Sequence, residues 1–175
     1  MSSKNLIRLG GIAAIIAGIL RGINSFLPAN LPSVTIEILY LITDIFILFG
    51  IMGIYGFEHQ ESGLWGFLGF LLAIVGTGII MGPDGSIGGV NMYPVGSLIL
   101  AAGLTLLAIG SWIANKFPRW VPVVWILSTI GGFIGYFSPG LHLLLIGSGV
   151  IFGIGFARAG IEVWSASGER RIQTK

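Results

Sequence analysis

The sequence predicts an all-α integral membrane protein, a six-helix bundle that forms one transmembrane domain over residues 1–175. Three observations predict this fold. Of the residues, 54% are hydrophobic and only 9% are charged, whereas about 25% of the residues in a soluble domain are charged. Six stretches approach the roughly 20 apolar residues that a membrane-spanning helix needs. Eight of the nine lysines and arginines lie at the chain ends or on alternate connections.

The six predicted spans are separated by residues that favour turns or water. Pro28 and Pro32 bracket the first connection, and Pro118 marks the fourth, because proline punctuates helices. The second connection, residues 58–61, reads Glu-His-Gln-Glu, so we expect it to lie in water. The predicted spans are residues 5–27, 34–57, 63–82, 92–114, 120–137 and 140–160.

The basic residues predict the orientation of the bundle. Connections rich in lysine and arginine stay in the cytoplasm. The connections after spans one, three and five hold no lysine or arginine, and an even number of spans puts both termini on one side. We therefore predict that both the N- and the C-terminus are cytoplasmic. The basic residues predicted on that side are Lys4, Arg8, Lys116, Arg119, Arg158, Arg170, Arg171 and Lys175.

In span number, glycine-rich helices and short turns, the chain is similar to small six-span membrane proteins of bacteria. The likeness rests on no specific motif and implies no site residues. It implies a location in the bacterial inner (cytoplasmic) membrane.

Glycine is abundant, with 29 copies, and many lie three or four residues apart. Small residues on one helical face let two helix backbones approach closely in a membrane. We therefore predict glycine-rich close packing of helices, with Gly18 and Gly22 in the first span and Gly149 and Gly153 in the sixth as packing positions. Packing within one subunit is the favoured interpretation, and a homodimer seam at Gly149 and Gly153 is the alternative.

Ionisable residues inside spans are costly, so they are candidates for function. Glu37 and Asp44 are seven residues apart and share a helix face with Tyr40 between them. Arg21, on the antiparallel first span, lies level with Tyr40, and His142 opens the last span on the same, outer side. Three interpretations stay open: a buried Arg21–Asp44 ion pair that locks two spans together, an outward-facing ligand pocket lined by these five residues, and a proton- or ion-carrying Asp44.

Several kinds of site are excluded by residue content and position. The chain has no cysteine, which excludes disulfides, thiolate nucleophiles and cysteine-ligated metals. His59 and His142 are predicted on opposite sides of the membrane, so they cannot share a zinc ion. No nucleophile motif or phosphate-binding loop is present. We therefore predict no catalytic residues, no cofactor, no metal and, because the basic residues mark the cytoplasmic side, no nucleic-acid partner.

These observations favour a small non-enzymatic membrane protein. It is predicted to be an accessory subunit of a membrane assembly or a binder of a lipid or other hydrophobic ligand. Its expected partners are membrane lipids and either other membrane subunits or further copies of itself. The alternative is a small oligomeric transporter or channel with Arg21, Glu37 and Asp44 on its path. An intramembrane enzyme is the least favoured class, because no paired acid and base or nucleophile is evident.

Overall fold

The computed structural model describes residues 3–27, 34–81 and 86–169. Within these ranges the fold is all-α except for one two-stranded hairpin, β1 (Ser86–Ile87) with β2 (Val90–Asn91). All six helices are long and apolar enough to span a membrane, which confirms the predicted all-α class and the number of spans. The helices are α1 (Ser3–Asn24), α2 (Val34–Glu58), α3 (Gly63–Ile80), α4 (Met92–Ala114), α5 (Trp120–Phe137) and α6 (His142–Glu169).

Local signals explain where several helices begin and end. The side chain of Asn91 accepts a hydrogen bond of 2.9 Å from the backbone N–H of Tyr93 and so caps the start of α4. Asn115 ends α4 in the left-handed conformation, with φ 52°, which asparagine tolerates better than most residues. Gly63, with φ 61°, makes the turn from α2 into α3. Each signal allows the chain to reverse within a few residues.

The helices follow one another around the bundle in the order α1, α6, α5, α4, α3, α2, and α2 also contacts α6. The most extensive contacts join α3 to α4 and α1 to α6, followed by α1 to α2 and α5 to α6. Contacts from α2 to α3 and from α4 to α5 are fewer. The α3–α4 pair is therefore attached to the other four helices by two narrower junctions.

The bundle has two distinct ends. The end that we call the basic end carries Ser3, the α2–α3 connection (residues 59–62) and the α4–α5 connection (residues 115–119). The opposite end, the hairpin end, is where α1, α3 and α5 finish. Predicted residues outside the described ranges are Pro28, Pro32, Arg170, Arg171 and Lys175.

The core is concentrated toward the basic end. In α2 the buried positions begin only at Thr43 and continue to Glu58. Large apolar side chains near the hairpin end, such as Val34, Phe137 and Leu143, are exposed, as expected for side chains that face lipid. A chain of aromatic contacts crosses the core with centroid separations of 5.1–6.4 Å. It runs through Phe57, Phe117, Trp125, Phe156 and Phe152.

Glycines lie where helix backbones approach most closely. A β-carbon on Gly18 would overlap the backbone oxygen of Gly153, and the reverse also holds. Gly149 faces the side chain of Ser25, which directly follows α1 in the same chain. Gly22 differs, because a β-carbon there would meet nothing within 4 Å. Three of the four predicted packing positions thus face the contact between α1 and α6, and the fourth faces open space.

Candidate functional site

The predicted polar residues of the hairpin end do not form one enclosed pocket. Arg21, Glu37 and His142 are exposed, and Tyr40 and Asp44 are only partly buried. Two ion pairs occur in the described part of the chain, and neither includes Arg21 or Asp44. The direct ion pair that we considered as a lock between the first two spans is therefore absent from this structure, although the Arg21 charge still acts on Asp44 through space.

A neutral hydrogen bond joins α1 to α2 instead. The side-chain amide of Asn24 donates to the Thr43 hydroxyl at 2.9 Å, and that hydroxyl donates to the backbone oxygen of Leu39 at 2.7 Å. Asn24 and Thr43 are only 4% and 2% exposed. One of the three interpretations open from the sequence gave this role to the neighbouring charged residues Arg21 and Asp44. The missed signal is that Asn24 and Thr43 are each within one turn of those charged residues, at the same depth, and cost less to bury.

An apolar groove runs between α1 and α6 on the surface of the bundle and encloses about 310 Å³. Gly18, Gly22 and Gly153 form its floor, because they place no side chain between the two helices. Larger apolar side chains form its walls, including Ile19 and Phe26, and Phe26 is 70% exposed. On α1 the groove extends over five residue steps, from Gly18 to Ile23, or about 7.5 Å of helix, and Phe26 continues it just beyond the end of α1.

Arg21 does not line this groove, but its side chain approaches α6 one turn from the groove residue Gly153. Its side-chain Nε is 3.8 Å from the position that a β-carbon on Gly149 would occupy, one helical turn from Gly153. The Ser25 hydroxyl, which donates to the backbone oxygen of Arg21 at 2.9 Å, also contacts Gly149. The arrangement is an open apolar groove with an exposed guanidinium near one end.

A second polar cluster lies at the basic end, and the sequence analysis missed it. We expected residues 58–61 to lie in water, which is wrong for Glu58, whose side chain is 0% exposed. The hydroxyl of Ser111 on α4 donates to Glu58 Oε1 at 2.7 Å. Neither Glu58 Oε2 nor the buried hydroxyl of Ser62 has a hydrogen-bond partner. The signal was present in the helical spacing, because Ile47, Ile51, Ile54 and Glu58 recur every three or four residues.

An ion pair lies over this cluster. Lys116 Nζ is 2.8 Å from Glu61 Oε1 and 5.3 Å from the centroid of the Phe57 ring. The hydrogen bond from Lys116, together with its charge, lowers the pKa of the Glu61 carboxyl. Lys116 and Glu61 are charged neighbours that act on Glu58. Glu58 is therefore enclosed by one hydroxyl donor and by an ion pair whose opposite charges largely cancel.

The two histidines lie at opposite ends, because His59 follows α2 at the basic end and His142 begins α6 at the hairpin end. In the ranges that the structure describes, no three side chains of histidine, cysteine, aspartate or glutamate come together as metal ligands. Two candidate sites therefore remain in the described residues: the groove between α1 and α6, near Arg21, and the buried carboxyl of Glu58.

No protein-family model matches the chain, and no curated protein or solved structure matches it.

Proposed function

We propose that the protein is a small non-enzymatic membrane protein that binds an anionic phospholipid in the groove between α1 and α6. The observation that carries this proposal is the open apolar groove of about 310 Å³ between α1 and α6, together with the exposed Arg21, whose Nε lies 3.8 Å from the position of a β-carbon on Gly149, one turn from the groove residue Gly153. An acyl chain lies along the groove, and the lipid phosphate meets Arg21. A guanidinium suits this role because its fork of N–H donors matches a phosphate group.

The groove and the arginine contribute different things to binding. In a bilayer, an acyl chain gains little from leaving its neighbours for an apolar groove, because lipid tails are as apolar as the groove walls. Selectivity must therefore come from the headgroup. Hydrogen bonds to charged groups contribute about 1.5–3 kcal/mol each. We expect at least about a tenfold preference for an anionic headgroup, which corresponds to about 1.4 kcal/mol.

The depth of Arg21 supports a headgroup contact. Arg21 lies three residues before the end of α1 at Asn24, or about 4.5 Å along the helix axis. Long basic side chains near helix ends extend toward the headgroup region while their stems remain in the apolar layer. In this proposal the guanidinium extends from there to the lipid phosphate, and the acyl chain follows the groove along α6 toward Ala157.

The proposed leaflet follows from the charge pattern. Lys4, Arg8, Lys116 and Arg119 lie at or near the basic end, so we propose that this end faces the cytoplasm of a bacterium. The groove then opens into the outer leaflet. Cysteine labelling tests this, since the chain has no cysteine of its own. Gln60→Cys at the basic end should be protected in intact cells and Gly140→Cys labelled; the reverse pattern contradicts the orientation.

The binding proposal is tested by titrating the detergent-extracted protein with phosphatidylglycerol and with phosphatidylcholine of identical chains, read by native mass spectrometry. Gly22→Leu fills the groove where no atom lies within 4 Å, and Gly78→Leu adds the same side chain at an equally open position on α3. We expect Gly22→Leu to lose lipid binding and Gly78→Leu to keep it. Wild-type binding in Gly22→Leu would reject the groove as the site.

The headgroup part of the proposal has its own variants. Arg21→Gln removes the guanidinium, and Arg119→Gln removes an exposed arginine at the other end of the bundle. We expect Arg21→Gln to bind both lipids equally and Arg119→Gln to keep the wild-type preference. Equal binding of both lipids by the wild type would reject anionic selectivity. A protein subunit that co-purifies in fixed ratio while lipid binding is absent would favour the accessory-subunit alternative.

A further inference from the structure

The carboxyl of Glu58 lies at the basic end, outside the groove between α1 and α6. Glu58 is the last residue of α2 and is completely buried, whereas residues 59–61 that follow it are exposed. Its Oε1 accepts one hydrogen bond of 2.7 Å from Ser111, and its Oε2 has no partner. A carboxyl enclosed in this way joins α2 to α4 at one of the two narrower junctions of the α3–α4 pair.

The groups around the Glu58 carboxyl do not stabilise a negative charge on it. Ser111 on α4 and Ser62 before α3 contribute neutral hydroxyls, and only Ser111 reaches the carboxyl. Among the described residues, Lys116 and Glu61 are charged neighbours that act on Glu58. Lys116 is held by Glu61 at 2.8 Å, and no cation in the described ranges lies within ion-pair distance of Glu58. A buried carboxylate without a cation or a full set of donors is strongly disfavoured relative to the neutral acid.

We propose that Glu58 is a proton-binding site whose carboxyl carries a proton at neutral pH. The neutral acid is the form that accepts the hydrogen bond from Ser111. When the O–H bond at Oε2 breaks, the proton passes to water at the basic end, where residues 59–61 are exposed. The remaining carboxylate competes with Glu61 for the Lys116 ammonium. Deprotonation therefore changes the partner of Lys116 and loosens the junction between α2, α4 and the two connections of the basic end.

Infrared spectroscopy tests the bound proton directly. The protein is prepared with carboxyl-¹³C glutamate, so that bands from aspartate, including Asp44, are not shifted. At neutral pH we expect one protonated-carboxyl C=O band that carries the isotope shift. This band should be absent in Glu58→Gln and retained in Glu37→Gln, which changes an exposed glutamate on the same helix. No labelled protonated band in the wild type, or the same band in Glu58→Gln, would overturn the proposal.

A second variant separates a proton-binding site from a merely structural hydrogen bond. Glu61→Gln leaves Lys116 without its acidic partner, so that the ammonium becomes free to stabilise a carboxylate at Glu58. We expect the pH at which the labelled band disappears to fall by about one unit relative to the wild type. An unchanged pH would overturn the exchange of partners by Lys116. Neither this comparison nor the wild-type spectrum depends on the folding of Glu58→Gln.

Discussion

The two ends of the bundle treat their polar side chains in opposite ways. Toward the hairpin end, Arg21 and Glu37 are exposed, and Asp44, near the middle of α2, is partly exposed, although all three lie inside predicted spans. At the basic end, Glu58 is fully enclosed, although it adjoins a hydrophilic connection. The position of a residue along a span therefore does not tell how deeply its side chain is buried. The open hairpin end suits recognition of a ligand, and the closed basic end suits a group that holds helices together.

The packing of α2 accounts for this difference. Its buried face begins at Thr43, one residue before Asp44, and the turns before it are exposed or half-buried. The same helix packs against α1, α3, α4 and α6, and in its last turn the ring of Phe57 contacts that of Phe117. One helix thus has a lipid-facing half and a core half.

The largest expected loss of stability follows from removing the buried carboxyl of Glu58, and removing the partly buried carboxyl of Asp44 is the comparison. Glu58→Ala creates a cavity and leaves the Ser111 hydroxyl without its partner, so we expect a loss of about 2–4 kcal/mol of unfolding free energy. Asp44→Ala should cost less than about 1 kcal/mol, because Asp44 is only partly buried and makes no ion pair. Equilibrium unfolding in mild detergent measures both variants. An equal loss in Asp44→Ala would contradict the contrast between the two ends.

The next effect concerns the hydrogen bond within the closed end. Ser111→Ala removes the one donor to Glu58 Oε1, and leaving a buried acceptor unpaired costs about 1–3 kcal/mol. Thr105→Ala is the matched control on α4, because its hydroxyl donates only to Ala101 on the same helix at 2.9 Å. Unfolding midpoints in the same detergent should fall more for Ser111→Ala. Similar midpoints for both variants would mean that the Glu58–Ser111 contact adds little.

At the hairpin end, the hydrogen bond between Asn24 and Thr43 should contribute less. Interhelical hydrogen bonds in membrane proteins average about 0.6 kcal/mol and reach about 1.7 kcal/mol. A double-mutant cycle with Asn24→Ala and Thr43→Val isolates this coupling from the effects of each substitution alone. A coupling energy larger than the effect of Ser111→Ala would reverse the order of the two ends.

The smallest effect belongs to the exposed ion pair between Lys116 and Glu61, whose side chains are 25% and 43% exposed. The pKa of Glu61 is lowered by the hydrogen bond and charge of Lys116. The contribution of this ion pair to stability is therefore fully present above the ordinary glutamate pKa of about 4.3. It is lost as the pH falls through the lowered pKa of Glu61. The difference in unfolding midpoint between wild type and Glu61→Gln should shrink as the solution is acidified and as salt is added. A difference that grows on acidification would contradict this assignment.

Hydropathy was sufficient to predict the six helices, because a bilayer requires about 20 apolar residues in every span. Rotation of each helix about its axis was harder to predict. The seven-residue spacing predicts that Glu37 and Asp44 share one face of α2, and the depth of Arg21 level with Tyr40 stays a prediction. The spacing gives no information on which neighbour that face meets, and here it lies largely outside the core. Glu58 was predictable, because it continues the buried series of Ile47, Ile51 and Ile54.

The groove between α1 and α6 was not predictable from the spacing of the glycines. A glycine pair at a spacing of four predicts close approach of helices, and Gly18 with Gly153 makes such a contact. The same spacing also describes Gly22, which contacts nothing on its open side. Only the lateral offset of α1 and α6 determines which glycine packs against a backbone and which leaves a space. That offset depends on the full set of contacts between the two helices.

Lipid-dependent thermal unfolding tests the division of roles between the two ends most directly, because a ligand that binds only the folded protein raises its unfolding midpoint. We predict that phosphatidylglycerol raises the midpoint of the wild type more than phosphatidylcholine with the same chains does. The difference should disappear in Arg21→Gln and persist in Glu58→Gln. Persistence of the full difference in Arg21→Gln would contradict lipid recognition at the hairpin end.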